Sequence, residues 1–351
     1  VTSVSETVSQ SVSQSGNGSP TLDQVARAAG VSRATASRAI NGGNRVSATA
    51  RAAVEAAVKS LGYTPNQAAR SLVTRRTESV AVVVPEPDER VFADPFFART
   101  LSAVNRVLSE KGLQLVLIMA RPGKEEERLL RYLRNRHIDG VIVVSHHRAD
   151  GLSDHLAELN IPATFVGRPW TCADRLSFVD TDNVEGGRVA GEALVERGCV
   201  RIGTITGPPD MTATLDRLTG WKTAMEKAGL PADAVEQGDF TEDGGERAAR
   251  VLLERHPDLD GLFVASDLMA VGVLRVLADL GRRVPEDVAL VGYDDLGVAE
   301  RTSPPLTTVS NPISEMATRA TRLLVEALES SSSPTPMRLI FTPTLVRRQS
   351  A

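Results

Sequence analysis

Residues 21–72, TLDQVARAAGVSRATASRAINGGNRVSATARAAVEAAVKSLGYTPNQAARSL, constrain this chain more tightly than any other stretch. Three helix starts are visible in it. Thr21, Ser32 and Ser47 each place a side-chain oxygen ahead of a helical run, where it can take up a free backbone N–H of the first turn. Leu22, Val25 and Ala26 make an apolar face at helical spacing, and Ile40, Val54, Val58 and Leu61 supply partners from two further helices. Gly30 falls between the first two helices, where a tight corner needs a permissive backbone. The pattern predicts a helix-turn-helix unit over 21–63, followed by a short hinge and linker over 64–78.

Charge supports the same reading. Residues 21–78 hold nine Lys or Arg and three acids, a net of +6, while the whole chain is −4, so the remainder sums to −10. A solvated three-helix bundle with ordinary surface arginines does not need that asymmetry. A basic module on an acidic body points to nucleic-acid contact confined to one end, which the whole-chain pI of about 5.9 conceals.

With 351 residues, two or three domains are expected. No apolar run approaches the roughly 20 residues needed to span a bilayer. Residues 1–20 have neither a basic start nor an apolar core, so they read as a disordered tail and not as an export signal. Cys172 and Cys199 are far apart and suggest neither a disulfide framework nor a metal site. These features fit a cytoplasmic protein without metal or cofactor.

From residue 79 short β-branched runs alternate with helical stretches. Candidate strands are 80–84, 115–119, 141–145, 163–166, 178–180, 201–206, 261–265 and 288–293. Candidate helices are 96–111, 125–136, 186–197, 217–228, 244–255 and 268–280. This alternation predicts an α/β core of parallel sheets over 79–348, in two subdomains with a cleft between them at the carboxyl ends of the strands.

The segments TLDQVARAAGVS, TASRAIN, VSATAR and LGYTPNQAARSL resemble the headpiece of the lactose-repressor (LacI/GalR) family of bacterial transcription regulators. DPFFA, DNVEGG, RLTGW, GDF, FVASDLMAVG, VPEDVALVGYDD and PPLTTV extend the resemblance over about residues 20–348, in the family's order, and through it to the periplasmic sugar-binding proteins. Ala36 departs from the family's bulkier Val. The resemblance implies an all-α headpiece with a hinge helix, and a two-subdomain periplasmic-binding-protein-like core. It also implies a homodimer on pseudo-palindromic double-stranded operator DNA. The ending TPTLVRRQSA has no leucine heptads, so no tetramer-forming bundle is expected.

On that basis residues 32–41 enter the major groove. Arg33, Ala34 and Arg38 face base edges, with a phosphate contact the alternative for Arg33. Thr21, Ser32, Thr35, Ser37 and Asn41 serve phosphates or caps. Asn66, Ala69 and Leu72 belong to a hinge helix too short to be stable alone. Leu72 either wedges into the minor groove or packs on its own core domain. In the cleft the pattern implicates Phe96, Phe97, Ser145, Arg168, Arg217, Phe240, Ser266, Asp267 and Asp294. Arginine, carboxylates and an aromatic plate suit a sugar, with ordinary core the alternative for each Phe. Gly167-Arg168 stands where many relatives carry Asp, so Arg168 is expected to make a different polar contact. Asp180 and Asp182 either line the cleft or cap a helix, and Trp221 reads as core.

Catalysis is not expected. Ser145-His146-His147 lacks a Gly-x-Ser-x-Gly elbow, the adjacent His rings cannot readily share a metal, and Pro122-Gly123-Lys124 lacks the rest of a phosphate loop. The chain reads as a ligand-responsive repressor of carbohydrate-utilisation genes, released by a sugar. The alternatives are a regulator sensing a purine corepressor or a phosphorylated partner protein, and a sugar-binding transport protein.

Overall fold

The computed structural model describes residues 20–41, 45–64, 76–121, 123–330 and 335–351. The chain divides into two units, Val1–Thr77 and Glu78–Ala351. Residues 1–19 of the expected tail, and Asn66, Ala69 and Leu72 of the expected hinge helix, lie outside the described residues.

In the first unit, α1 (Leu22–Ala28), α2 (Arg33–Ile40) and α3 (Ala48–Leu61) begin at Thr21, Ser32 and Ser47, whose hydroxyls accept from Gln24, Thr35 and Ala50 backbone N–H groups. Gly30 turns the corner at φ +66. Val25, Ala26, Ala36, Ala39, Val54 and Ala57 form the core, with Ile40 and Val58 packed at its edge. Leu61 does not join it. It is exposed in the last turn of α3, just before the left-handed Gly62 ends the helix.

The second unit holds two six-stranded sheets. The first contains β1 (Ser79–Val84), β2 (Gln114–Met119), β3 (Gly140–Val144), β4 (Ala163–Val166), β5 (Ser177–Thr181) and β11 (Arg338–Phe341), in the order β11-β5-β4-β3-β1-β2. The second contains β6 (Ile202–Thr206), β7 (Val235–Gln237), β8 (Gly261–Val264), β9 (Ala289–Asp294), β10 (Thr307–Ser310) and β12 (Thr344–Val346), in the order β12-β10-β9-β8-β6-β7. All neighbours are parallel except the edge pair β10–β12. The run SVAVVV explains why β1 is central. Val80, Val82 and Val84 enter one core while Ala81 and Val83 enter the other, so both faces are buried.

The helices are α4 (Asp88–Ala93), α5 (Pro95–Glu110), α6 (Lys124–Arg134), α7 (Leu152–Leu159), α8 (Asn183–Glu196), α9 (Thr212–Ala228), α10 (Glu242–Arg255), α11 (Asp267–Asp279) and α12 (Ile313–Glu329). Two differences from the sequence reading affect the cleft. First, α9 begins at Thr212, five residues before Arg217, which places Arg217 inside a helix. Second, α12 follows a strand of the second sheet but packs on the first, where Met316, Ala317, Ala320 and Leu324 join the core of Val80, Val82 and Val84. The chain therefore crosses between the sheets after β5, β10 and β11. The crossings are bonded together: Asp182 N–H donates to Phe341 O at 2.8 Å, and Thr181 Oγ1 donates to Asn311 Oδ1 at 3.0 Å.

Helices α8 and α9 approach closely because Gly187, Gly191 and Gly220 lie between them. A Cβ on Gly220 would sit 1.8 Å from Val184 O, and one on Gly187 would sit 2.0 Å from Arg217 O. Helix propensity alone favours alanine over glycine by up to about 1 kcal/mol. Gly220→Ala is nevertheless expected to destabilise the chain by about 1–3 kcal/mol in urea unfolding, because backbone must move to admit the methyl. Stabilisation by this substitution would contradict the close packing.

Candidate functional site

In the first unit, one exposed face of α2 carries Arg33, Ala34 and Arg38, with Ser32 at its start. Arg38 Nε donates to Ala34 O at 3.1 Å, Ser32 Oγ lies 2.9 Å from Thr35 Oγ1, and Asn41 Nδ2 donates to Ser37 Oγ at 3.4 Å. Thr21 and Gln24 form a reciprocal capping box. Arg33 lies 3.4 Å from Asp23, an exposed pair that leaves the guanidinium accessible.

In the second unit, a cavity with about 730 Å³ of empty space, part of it open to solvent, lies at the carboxyl ends of the strands of both sheets. Of the nine side chains expected there, Phe96, Ser145, Arg217, Phe240, Ser266 and Asp294 line it. The other three do not. Phe97 is turned into the core of the first sheet and meets Phe96 edge-on at 5.1 Å, since adjacent helical positions point about 100° apart. Asp267 sits behind the wall at the start of α11, where Thr308 Oγ1 donates to it at 2.6 Å. Arg168 directs its guanidinium to Asp216 at 2.6 Å, outside the lining. Asp180 lines the cavity, whereas Asp182 caps α8 through Glu185 N–H at 2.9 Å. Trp221 is fully buried.

The lining also includes Arg90, Asp94, His146, Asn183, Thr212 and Asn311, which the sequence reading did not assign. Asp94 and Asn183 fall inside DPFFA and DNVEGG as helix-start residues, so a polar signal was present. Arg90 and Asn311 carried none.

Arg217 is the central cation of the cavity floor. Its Nε donates to Asn183 Oδ1 at 2.9 Å, its Nη1 donates to Ala265 O at 2.6 Å, and its guanidinium lies 3.6 Å from the Tyr293 ring centre. Asp294 is 3.7 Å away and receives Asn311 Nδ2 at 3.1 Å. Burial raises the Asp294 carboxyl, against the pull of Arg217. Burial pushes Asp94 up to about 6, with repulsion from Asp294 adding to it, and pushes Asp267 up to about 8. The Phe240 ring centre lies 5.3 Å from the Arg90 guanidinium and 6.0 Å from that of Arg217.

The two adjacent histidines differ. Ser145 adopts φ +57 and ends the strand, so His146 and His147 follow on a loop and not on a strand. His146 is buried and donates from Nε2 to Arg168 O at 2.9 Å, and burial pushes it down to about 4. His147 lies between Glu86 and Asp210, at 3.0 and 2.9 Å. Burial opposes its charge, but the two carboxylates outweigh that and push it up to about 9. Among the described residues no group of three or more His, Cys, Asp or Glu side chains is placed to hold a metal, and no helix is long and apolar enough to cross a membrane.

Comparison with known proteins agrees with this geometry. Residues 21–66 match the model of "Bacterial regulatory proteins, lacI family", and residues 192–351 match a "Periplasmic binding protein-like domain". The HTH-type transcriptional regulator CelR of Thermobifida fusca is 49% identical over 334 residues, 94% of this chain and 98% of that protein. Among solved structures, a transcriptional regulator CelR–cellobiose complex has a TM-score of 0.76 at 47% identity, covering 95% of this chain and 100% of that one. The lac repressor dimer bound to operator and the anti-inducer ONPF has a TM-score of 0.83 at 25% identity, covering 95% of this chain and 99% of that one.

The buried partners of Arg217 make a prediction. Truncating it leaves Asn183, Ala265 O and Asp294 without their cation. Arg217→Ala is therefore expected to cost about 3–5 kcal/mol in urea unfolding at pH 7, in addition to any effect on binding. A loss below about 1 kcal/mol would show that the guanidinium does not neutralise the cavity floor.

Proposed function

Because this chain belongs to the lacI family of bacterial regulatory proteins, we propose that it is a cytoplasmic, homodimeric repressor of carbohydrate-utilisation genes whose effector is cellobiose or a closely related β-glucoside. The observation that carries the sugar reading is the cavity's composition. A phenylalanine plate, Phe240, stands beside the buried Arg217, Asn183 and Asp180 and the partly buried Asp294. Sugar hydroxyls both donate and accept, so they suit a wall of carboxylates and guanidinium, and a pyranose C–H face suits an aromatic ring. The CelR–cellobiose complex, 47% identical to this chain over 95% of its length, supports that choice of sugar.

The exposed α2 face supports operator recognition. Arg33 and Arg38 are free of buried partners and lie on one side of a capped helix, the arrangement needed to reach base edges. A two-fold dimer presents two such faces, so the operator is a pseudo-palindrome. The described headpiece helices carry Arg27, Arg33, Arg38, Arg51 and Lys59, so affinity falls steeply with salt as counterions leave the phosphates.

Duplexes selected from a random pool with the full chain provide the operator for the test. Arg38→Ala is expected to weaken operator binding by about 5- to 150-fold, corresponding to roughly 1–3 kcal/mol for one guanine contact. Cellobiose affinity, measured by calorimetry, is expected to stay unchanged in that variant. Phe240→Ala is expected to weaken cellobiose by about tenfold or more and to leave operator affinity in the absence of sugar unchanged. No heat of cellobiose binding at millimolar concentrations would overturn the effector assignment. Equal loss of both activities in either variant would overturn the division of labour.

A further inference from the structure

Two loops of the first lobe, after β3 and β4, meet the start of α9 and the residues just before it across the mouth of the cleft. From the side of the first sheet come His147, Arg148, Arg168 and Trp170. From the side of the second come Asp210, Thr212 and Asp216. Asp210 takes three contacts from the opposite side: His147 Nδ1 at 2.9 Å on its carboxylate, and Arg148 N–H at 2.8 Å and Trp170 Nε1–H at 2.6 Å on its carbonyl. Thr212 Oγ1 donates to Arg168 O at 2.8 Å, and Arg168 Nη2 donates to Asp216 at 2.6 Å.

His147 continues the path inward. Its Nε2 lies 3.0 Å from Glu86 Oε1. Ionised carboxylates only accept hydrogen bonds, so an imidazole between two of them donates from both nitrogens and is cationic. The same Glu86 oxygen accepts Ser145 Oγ at 2.6 Å and the Arg90 guanidinium. Glu86 is buried, and although burial alone would raise its carboxyl, the bonds from His147, Arg90 and Ser145 hold it below the ordinary range. Arg90 and Ser145 both line the cavity. A continuous set of charge-assisted bonds therefore runs from the cleft mouth to two lining side chains.

We propose that Asp210, His147 and Glu86 form a positioning relay, which couples closure of the cleft to the placement of Arg90 and Ser145 at the effector site. The binding half of this proposal rests on reading the cleft as a sugar site, and the closure half does not. Glu86 and His147 belong to the same lobe, whereas Asp210 belongs to the other, so opening removes only Asp210. A neutral imidazole carries one N–H and cannot donate to both carboxylates, so deprotonation sacrifices the bond across the cleft. The charged or titratable groups around the imidazole are Glu86, Asp210, Asp150, which accepts the His147 backbone N–H at 2.7 Å, Arg90 across Glu86, and the neighbours His146 and Arg148.

The sign follows from these partners. Closure gives His147 a second carboxylate and raises its affinity for the proton, so the closed form is favoured while His147 is protonated. That advantage is complete below the value His147 has in the open form, where only Glu86 faces it, and is lost as pH rises through about 9. Glu86, held below the ordinary carboxylate range, stays ionised across that window.

Trp170 reports closure directly, because its Nε1–H bond to Asp210 O spans the cleft. The other tryptophan, Trp221, is fully buried between α8 and α9. Tryptophan emission of the ligand-free full chain is titrated from pH 7 to 10. A red shift with a midpoint near pH 9 is expected in the wild type, no transition in His147→Gln, and a lower midpoint in Asp210→Asn, a milder change at a partly exposed position. Trp170→Phe removes the transition and assigns it. Cellobiose affinity is expected to weaken by about tenfold between pH 7 and 10 in the wild type and to stay flat in His147→Gln. Emission that does not change with pH, or an unchanged midpoint in His147→Gln, would overturn the relay. A normal emission titration with no cellobiose binding at any pH would instead count against the sugar assignment and leave closure by the relay intact.

Discussion

A buried guanidinium has to be surrounded by acceptors, and Arg217 imposes that condition on the second unit. Its partners come from separate elements: Asn183 at the start of α8, Ala265 O at the end of β8, and Tyr293 and Asp294 at the end of β9. The charge is held as much by a ring face and neutral oxygens as by a carboxylate. This matters because Asp294 lies 3.7 Å away and has Asn311 as a second partner. The backbone around Arg217 is equally constrained, since Gly187 must lack a Cβ for Arg217 O to approach α8. The cavity floor, the crossing between the sheets and the packing of α8 on α9 thus share one buried cation.

That arrangement suits a site that must change state. The chain crosses between the sheets at three neighbouring places, tied by Thr181, Asn311, Asp182 and Phe341 on one side of the cavity. Opposite them, the bonds from His147, Arg148, Trp170 and Arg168 lie across the mouth. The crossing side is covalent, whereas the mouth is held by hydrogen bonds and ion pairs, so the mouth is where the lobes separate. A ligand shifts such an equilibrium only through its different affinity for the two states. Side chains contributed by both lobes, Phe96 and Ser145 from one and Arg217 and Phe240 from the other, provide that difference.

Much of this was legible in the sequence. Three capped helices with Gly30 at a corner define the headpiece, and the β-branched run 80–84 marks a strand of a parallel sheet, though not its place in that sheet. The phase of α5 was not legible. Phe96 and Phe97 are equivalent as letters, and only the packing after Pro95 decides which one faces the cavity. Strand–helix alternation also does not say which sheet an element joins, so α12 was not foreseen on the first sheet. The short edge strands β7, β11 and β12 have three or four residues with exposed positions, too few to show a period. Arg90 and Glu86 acquire their roles only by meeting His147 and Ser145, about 60 positions away in sequence.

The central claim is that sugar in this cleft and DNA on the headpiece are thermodynamically linked. Linkage is reciprocal, so the factor by which operator DNA changes sugar affinity equals the factor by which sugar changes operator affinity. Cellobiose titrated calorimetrically into the protein, with and without saturating selected operator, measures the first factor. Operator titration with and without saturating cellobiose measures the second. The account predicts cellobiose binding weakened by DNA, operator binding weakened by cellobiose, and the same factor in both directions, about 5- to 150-fold for a coupling of roughly 1–3 kcal/mol. Cellobiose affinity that is identical with and without operator would contradict it.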